Sequence, residues 1–246
     1  MTRFAARRAL VTGGTRGLGR AIAEGLAREG ARVAITYGRD DADAADARAA
    51  LAAHGTEPLV FKGSVADPAH VRTVAAQLDE AWGGLDVLVC AAGIMEVLPL
   101  ALIDAEDWDA VHAVNLRGAF LHARAAARRM IKARHGRILF VGNFASERIV
   151  ESPVHFAAAK SGLRGLTESL AREVGRYNVT VNLLAPGLLE SGLVHMLPQH
   201  RVAEYLEQCP AGRLGTLVEV AEVALFLVSD SASFVTGAKL AADGGL

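Results

Sequence analysis

Cysteine is nearly missing from this chain of 246 residues: there are two. Cys90 falls inside an apolar run and Cys209 sits beside Pro210, too few for a disulfide framework and not spaced as metal ligands, so both read as plain thiols. An excess of charge of either sign is missing as well. The 26 basic and 27 acidic residues leave a formal net charge of -1 and are spread along the chain, which gives no electrostatic footprint for nucleic acid or an anionic membrane. No apolar run reaches the ~18 residues that a membrane span requires. The opening MTRFAARRALVTGG carries basic residues but no apolar stretch followed by a small-residue cleavage site. The expectation is a soluble, cytoplasmic protein with a small partner, no nucleic acid and no membrane. No solenoid repeat and no dividing linker occurs, and with 52% hydrophobic residues the chain can bury one substantial core, so residues 1–246 read as a single domain.

What is present is alternation. The runs RALVT (8–12), RVAIT (32–36), PLVF (58–61), LDVLVC (85–90), RILFV (137–141), VTVNLL (179–184) and AKLAA (238–242) are continuously apolar, as strands buried on both faces are. Between the first two, Leu18, Ile22 and Leu26 recur every four residues with Gly30 as the stop, which is a helix with one apolar stripe. Further helical spacing covers 42–53, 68–82, 104–134, 153–176 and 217–229, with an ordinary solvated helix expected for the first of these. Repeated strand–helix alternation implies right-handed crossovers and an α/β, Rossmann-type doubly wound parallel sheet with helices on both faces. Ligands of such sheets bind beyond the carboxyl ends of the strands, where strand order reverses. One long irregular stretch, roughly 186–212, is a candidate substrate loop, placed near 188–212.

TGGTRGLG (12–19) follows the first strand and opens the first helix. Gly13 can turn sharply, Gly17 lets the backbone approach a pyrophosphate, Gly19 allows close helix–strand packing, and the first-turn N–H groups attract anionic oxygen. A tight turn is the plainer alternative, but the flanking strand and amphipathic helix favour a dinucleotide. NAD sites usually carry an acid about 20 residues on to hold the adenosine ribose. Here the strand end reads ITYGRDD (35–41): Tyr37, then Arg39, with Arg16 in the glycine loop. Two guanidinium groups near the ribose would suit a 2′-phosphate, so NADP(H) is favoured over NAD(H). A strand end shifted by two or three residues would restore Asp40 or Asp41, and solvated surface arginines are the other alternative.

The spacing T-G-x-x-x-G-x-G, with LDVLVCAAG (85–93), VNLRG (114–118), FAAAKSGL (156–163), VNLLAPG (181–187), GRLG (212–215) and TGAKLAADGG (236–245), resembles the short-chain dehydrogenase/reductase family over nearly the whole length. The pattern is most similar to the 3-oxoacyl carrier-protein reductases. The resemblance implies a seven-stranded doubly wound sheet, commonly assembled into tetramers, and a carrier-protein-bound acyl or other small-molecule substrate. It implies that Gly13, Arg16, Gly17, Leu18 and Gly19 line the pyrophosphate and ribose, Ser64 and Val65 reach the adenine, and Ala92 and Gly93 pass beneath the ribose. Lys160 would hold the nicotinamide ribose, and Pro186, Gly187 and Ser191 would fix the carboxamide. Where the family shows two asparagines this chain has Cys90 and Ala91. Of the family's four catalytic groups, Asn115 and Lys160 match; the serine position holds Asn143 and the tyrosine position holds Phe156. Ser152 and Pro153 read as the N-cap and first position of the helix that carries Phe156 and Lys160.

A benzene ring has no proton to give. General acid catalysis contributes about 10²–10⁴ in rate, so an ordinary ketone reduction should be slowed by that order, whereas the Asn143 amide can still hydrogen-bond to developing negative charge. Three stand-ins offer themselves, each with a plainer role: His155, pointing away from the Phe156–Lys160 face or simply exposed; Ser146, a turn residue; and Lys160, one turn from Phe156 on the same face, or a ribose ligand only. Three functions stay open. The chain is an atypical NADP(H)-dependent oxidoreductase acting on a ketoacyl, enoyl or polyketide-like thioester, the reading preferred here. Alternatively it is an inactive subunit assembling with an active paralogue, or a non-redox isomerase or cyclase using Asn143 and Lys160 as electrostatic clamps. A homotetramer or a hetero-oligomer follows accordingly.

Overall fold

The seven apolar runs become seven strands of one all-parallel sheet in a computed structural model, which describes residues 2–143 and 152–246: β1 (Arg8–Thr12), β2 (Arg32–Tyr37), β3 (Leu59–Lys62), β4 (Val87–Cys90), β5 (Gly136–Val141), β6 (Val179–Pro186) and β7 (Lys239–Ala242). Their order is β3-β2-β1-β4-β5-β6-β7, so the direction of winding reverses between β1 and β4, and there the final residues Thr12 and Cys90 lie side by side. The five inner strands are apolar on both faces because helices cover both. Helices α1 (Gly17–Arg28), α2 (Asp41–Ala52) and α8 (Leu217–Val228) supply one buried cluster, in which Ile22, Leu26, Ile35, Leu139, Leu184 and Leu225 pack together. Helices α3 (Pro68–Trp82), α5 (Gly118–Ala133) and α6 (Val154–Val174) supply the other, with Leu78, Leu88, Met130, Ile138, Phe140 and Leu163. Each such side chain removed from water contributes about 1.5–3 kcal/mol. The outer strands differ from expectation. β3 and β7 are only part-buried, because each lies at a sheet edge and lacks a neighbour on one side.

Two further expectations are corrected. The stretch 104–134 is two helices: α4 (Ala105–His112), started by a capping box of Asp104 and Asp107, and α5, joined by a π-helical turn over Ala113–Arg117. A π turn inserts one residue without breaking the backbone ladder, so the apolar spacing runs through it. The stretch 186–212 is not irregular throughout, since a 3₁₀ turn at Leu193–Met196 and a helix α7 (Gln199–Gln208) lie inside it. Only Tyr205 of α7 is buried, which leaves little periodic signal.

Charge holds one end of the sheet. At the amino ends of β1, β4 and β5, Arg8 forks onto Asp86, while Asp230 accepts from Arg7 at 2.8 Å and from the buried Arg137 at 3.0 Å. The Asp86 and Asp230 carboxyls lie below the usual range: burial opposes this, but the guanidinium contacts of Arg8 and of Arg7 and Arg137 outweigh it. Among the described residues no helix is long and apolar enough to cross a membrane, and no His, Cys, Asp and Glu group could hold a metal ion.

Candidate active site

The reversal of strand order opens a crevice beyond the carboxyl ends of β1 and β4, and the glycine loop enters it. Gly13 turns with φ +67°, and a Cβ there would stand 2.8 Å from Ala92 Cα, so the loop can lie on the end of β4 only as glycine. Gly17 has φ +54° and open space beside it, which leaves the backbone accessible from the crevice. Gly19 packs against the carbonyl of Gly13, the residue that follows β1, so a side chain there would hold the helix off the end of the strand. Helix α1 starts here with Arg16 as N-cap, no side-chain cap and no acid in its first turn, so the N–H groups of Gly17, Leu18 and Gly19 have no acceptor among the described residues. Oriented N–H groups at a helix start hold phosphate oxygens, and this cradle fits a pyrophosphate.

At the end of β2 the two acids are already engaged. Strand β2 stops at Tyr37, Asp40 caps α2 by accepting from the Ala42 and Asp43 N–H groups, and Asp41 accepts from the Tyr37 hydroxyl at 2.7 Å and from Lys62 at 2.6 Å. The shifted strand end that would have offered Asp40 or Asp41 to a ribose is not there. Arg16 and Arg39 are both exposed, and neither meets a carboxylate among the described residues. Ser64 is exposed at the end of β3, and Val65 is buried against Gly118.

Beneath the crevice lie the remaining predicted residues. Lys160 is buried, its ammonium donating to the Val141 carbonyl at 2.8 Å, with Nζ 5.9 Å from the centre of the Phe156 ring. Burial pulls the Lys160 pKa down to about 8, opposed only by the Cys90 thiol, which burial pushes up to about 12. A Cβ on Gly93 would stand 2.7 Å from Asn115 Oδ1 and 3.4 Å from Lys160 Nζ, so only glycine there leaves room beside the ammonium. Asn115 sits in the π turn with its amide fully spent: Nδ2 donates to the Ile94 and Val111 carbonyls, and Oδ1 accepts from the Ile94 N–H. It therefore clamps the segment after β4 to α4. Asn143 follows β5 by two residues and is half-buried. Ser146 lies outside the described residues.

Helix α6 begins at Val154 with Pro153 as N-cap, one residue later than the Ser152–Pro153 reading. The ψ of +128° at Pro153 is extended, which excludes it from the first helical turn. Phe156 is 1% exposed and packs with Met95, Val111, Ala159 and the half-buried Leu197. His155 is buried rather than exposed, because it shares the inward stripe of Ala159 and Leu163, and neither ring nitrogen has a hydrogen-bond partner among the described residues.

On the far side, Pro186 ends β6 and Gly187 donates to the Ala242 carbonyl at 2.9 Å; Ser191 is half-buried in the turn beyond. The sequence gives no direct sign of Tyr205. Its hydroxyl donates to the Asp243 carbonyl at 3.0 Å and lies where a side chain on Gly187 would be, so α7 braces the Pro186–Gly187 turn. The only available signal is the i, i+4 pair Tyr205 and Cys209, both buried.

The family model described as Enoyl-(Acyl carrier protein) reductase matches residues 13–246, and the chain belongs to the short-chain dehydrogenase/reductase family. It is 39% identical over 243 residues to the 3-oxoacyl-(acyl-carrier-protein) reductase FabG of Escherichia coli, covering 99% of this chain and 98% of that one. To the 3-oxoacyl-(acyl-carrier-protein) reductase MabA of Mycobacterium bovis it is 35% identical over 243 residues, covering 99% and 94%. A solved Serratia marcescens short-chain dehydrogenase/reductase variant matches the fold with a TM-score of 0.92 at 33% identity, covering 99% of this chain and 98% of that one.

Proposed function

We propose that this chain is an NADP(H)-dependent reductase of a ketoacyl or enoyl thioester, working without the phenol acid of its family. The carrying observation is that the glycine turn and the open first turn of α1 fit a pyrophosphate while a buried Phe156 stands where the family has its tyrosine. When bound, the reduced nicotinamide supplies hydride. The chain's own residues divide the rest: the first-turn N–H groups of Gly17, Leu18 and Gly19 take the pyrophosphate, and Lys160 holds the ribose hydroxyls. Ser64 and Val65 flank the adenine, Ala92 and Gly93 floor the ribose, and Pro186, Gly187 and Ser191 face the carboxamide. Arg16 and Arg39 favour a 2′-phosphate because both are exposed without a carboxylate, while Asp40 and Asp41 are occupied. An amide at Asn143 can donate to the substrate oxygen.

Apolar surface supports the acyl substrate. Ile94, Val97, Leu100 and Leu102 after β4, Val154 at the start of α6 and Met196 in the stretch after β6 are all exposed large apolar residues at the carboxyl end of the sheet. Leu197 joins that stretch to the Phe156 cluster. Residues 188–212 thus form the substrate-side segment of the one domain.

Fluorescence titration with NADPH and NADH, followed by NADPH oxidation with ketoacyl and enoyl thioesters, tests the reading. The wild type binds NADPH at least tenfold more tightly than NADH, and Arg16→Ala with Arg39→Ala removes that preference. Wild-type ketoacyl turnover is measurable but about 10²–10⁴ below that of Phe156→Tyr with Asn143→Ser. Failure to bind either dinucleotide, or binding without any thioester-dependent oxidation, rejects it.

A further inference from the structure

The proton that the missing phenol would have supplied needs another source, and the described residues near Phe156 offer few. The Asn115 amide is spent on Ile94 and Val111. The Cys90 thiol is too weak an acid, since burial holds its proton up to about 12. Tyr205 gives its hydroxyl hydrogen to the Asp243 carbonyl. His155 is turned about 100° from Phe156 around α6, and nothing hydrogen-bonded to its ring could carry a proton to the crevice. Lys160 remains. It lies one turn from Phe156, Nζ 5.9 Å from the ring centre, and its one hydrogen bond among the described residues, to the Val141 carbonyl, leaves two of its three hydrogens, one for the ribose hydroxyls to share and one for a water. Glycine at position 93 leaves beside Nζ the space that a side chain there would fill, 3.4 Å away.

We infer that the Lys160 ammonium is the acid of the reduction, delivering its proton through one water seated where the phenol oxygen would stand. This assignment rests on the reductase reading above. With a reduced dinucleotide bound, hydride from it would add to the carbonyl carbon as the π bond opened, the dinucleotide being the species oxidised, and the carbonyl oxygen would gain a proton from the water as the water took one from Nζ. The neutral amine left behind recovers a proton from solvent. The groups facing Nζ are the Cys90 thiol from β4, the Asn115 amide from the π turn, the Val141 carbonyl from β5 and the Phe156 ring from its own helix. Cys90 is the only titratable one with a bearing on its charge. An ammonium poised near 8 keeps its proton at neutral pH yet gives it up more readily than a solvated lysine.

Three measurements on the full chain test this. Competitive labelling of amines across pH, read on the Lys160 peptide by mass spectrometry without dinucleotide, gives a midpoint near 8. The kcat for ketoacyl thioester reduction falls tenfold per pH unit above that midpoint. Lys160→Arg, which keeps a cation and donors but cannot release a proton, loses about 10²-fold in kcat at saturating NADPH and loses the alkaline limb. In the Phe156→Tyr background, where a phenol is available again, the same substitution costs less than tenfold, and this arm also excludes misfolding of the arginine variant. A labelling midpoint near 10.5, a flat kcat from pH 6 to 9.5, or an equal loss in both backgrounds overturns the Lys160 assignment and leaves the reductase reading standing. Absence of NADPH-dependent turnover overturns both.

Discussion

Lys160 is a cation kept in an apolar setting, with no carboxylate among the described residues to compensate it. Its pKa is lower folded than unfolded, so between the two values the unfolded chain binds the extra proton, and stability rises with pH across that window. The difference in unfolding free energy between wild type and Lys160→Met should therefore grow by on the order of 3 kcal/mol from pH 8 to pH 10.5, as read by urea denaturation at each pH. Other alkaline titrations are common to both proteins and cancel. A lysine with its ordinary pKa would give a flat difference.

Elements explain where reading the sequence succeeded and where it stopped. The inner strands were legible because burial on both faces writes an unbroken apolar run. PLVF and AKLAA look the same in sequence, and only the sheet order reveals them as edges. The glycine loop was legible because strand, turn and helix are contiguous. The engagement of Asp41 by Tyr37 and Lys62 was not, since Lys62 comes from the neighbouring strand. His155 could have been placed from the i, i+4 stripe through Ala159 and Leu163, but the residue type suggested surface. The π turn was invisible because apolar spacing persists across it. Its function in the fold is testable: Asn115→Ala leaves the Ile94 N–H and carbonyl and the Val111 carbonyl without their partner. A loss of roughly 2–4 kcal/mol is expected, with faster amide exchange at Ile94. A change below 0.5 kcal/mol would show that the clamp is dispensable.

Over the whole molecule, α8 and the edge strand β7 leave apolar surface uncovered. Val218 and Phe226 on α8, Leu240 on β7 and Phe234, which is 101% exposed, lie in this carboxyl-terminal stretch. An unpaired strand edge and exposed large apolar side chains are both surface that chains cover by association. Self-association through this surface is expected, and Phe234→Asp with Val218→Asp should elute as a smaller species in size-exclusion chromatography with light scattering. An unchanged mass, or a monomeric wild type, would disprove this. The opposite ends of the sheet also contrast. Asp86 and Asp230 fasten the amino ends of β1, β4 and β5 through buried or half-buried arginines, whereas Arg16, Arg39 and Lys160 at the carboxyl ends face no carboxylate among the described residues. The barrel of the lock is riveted and its keyhole left unsprung: a polyanionic guest entering the crevice would supply the counter-charge that end lacks, so its arrival should tighten the working half far more than the already bolted rear.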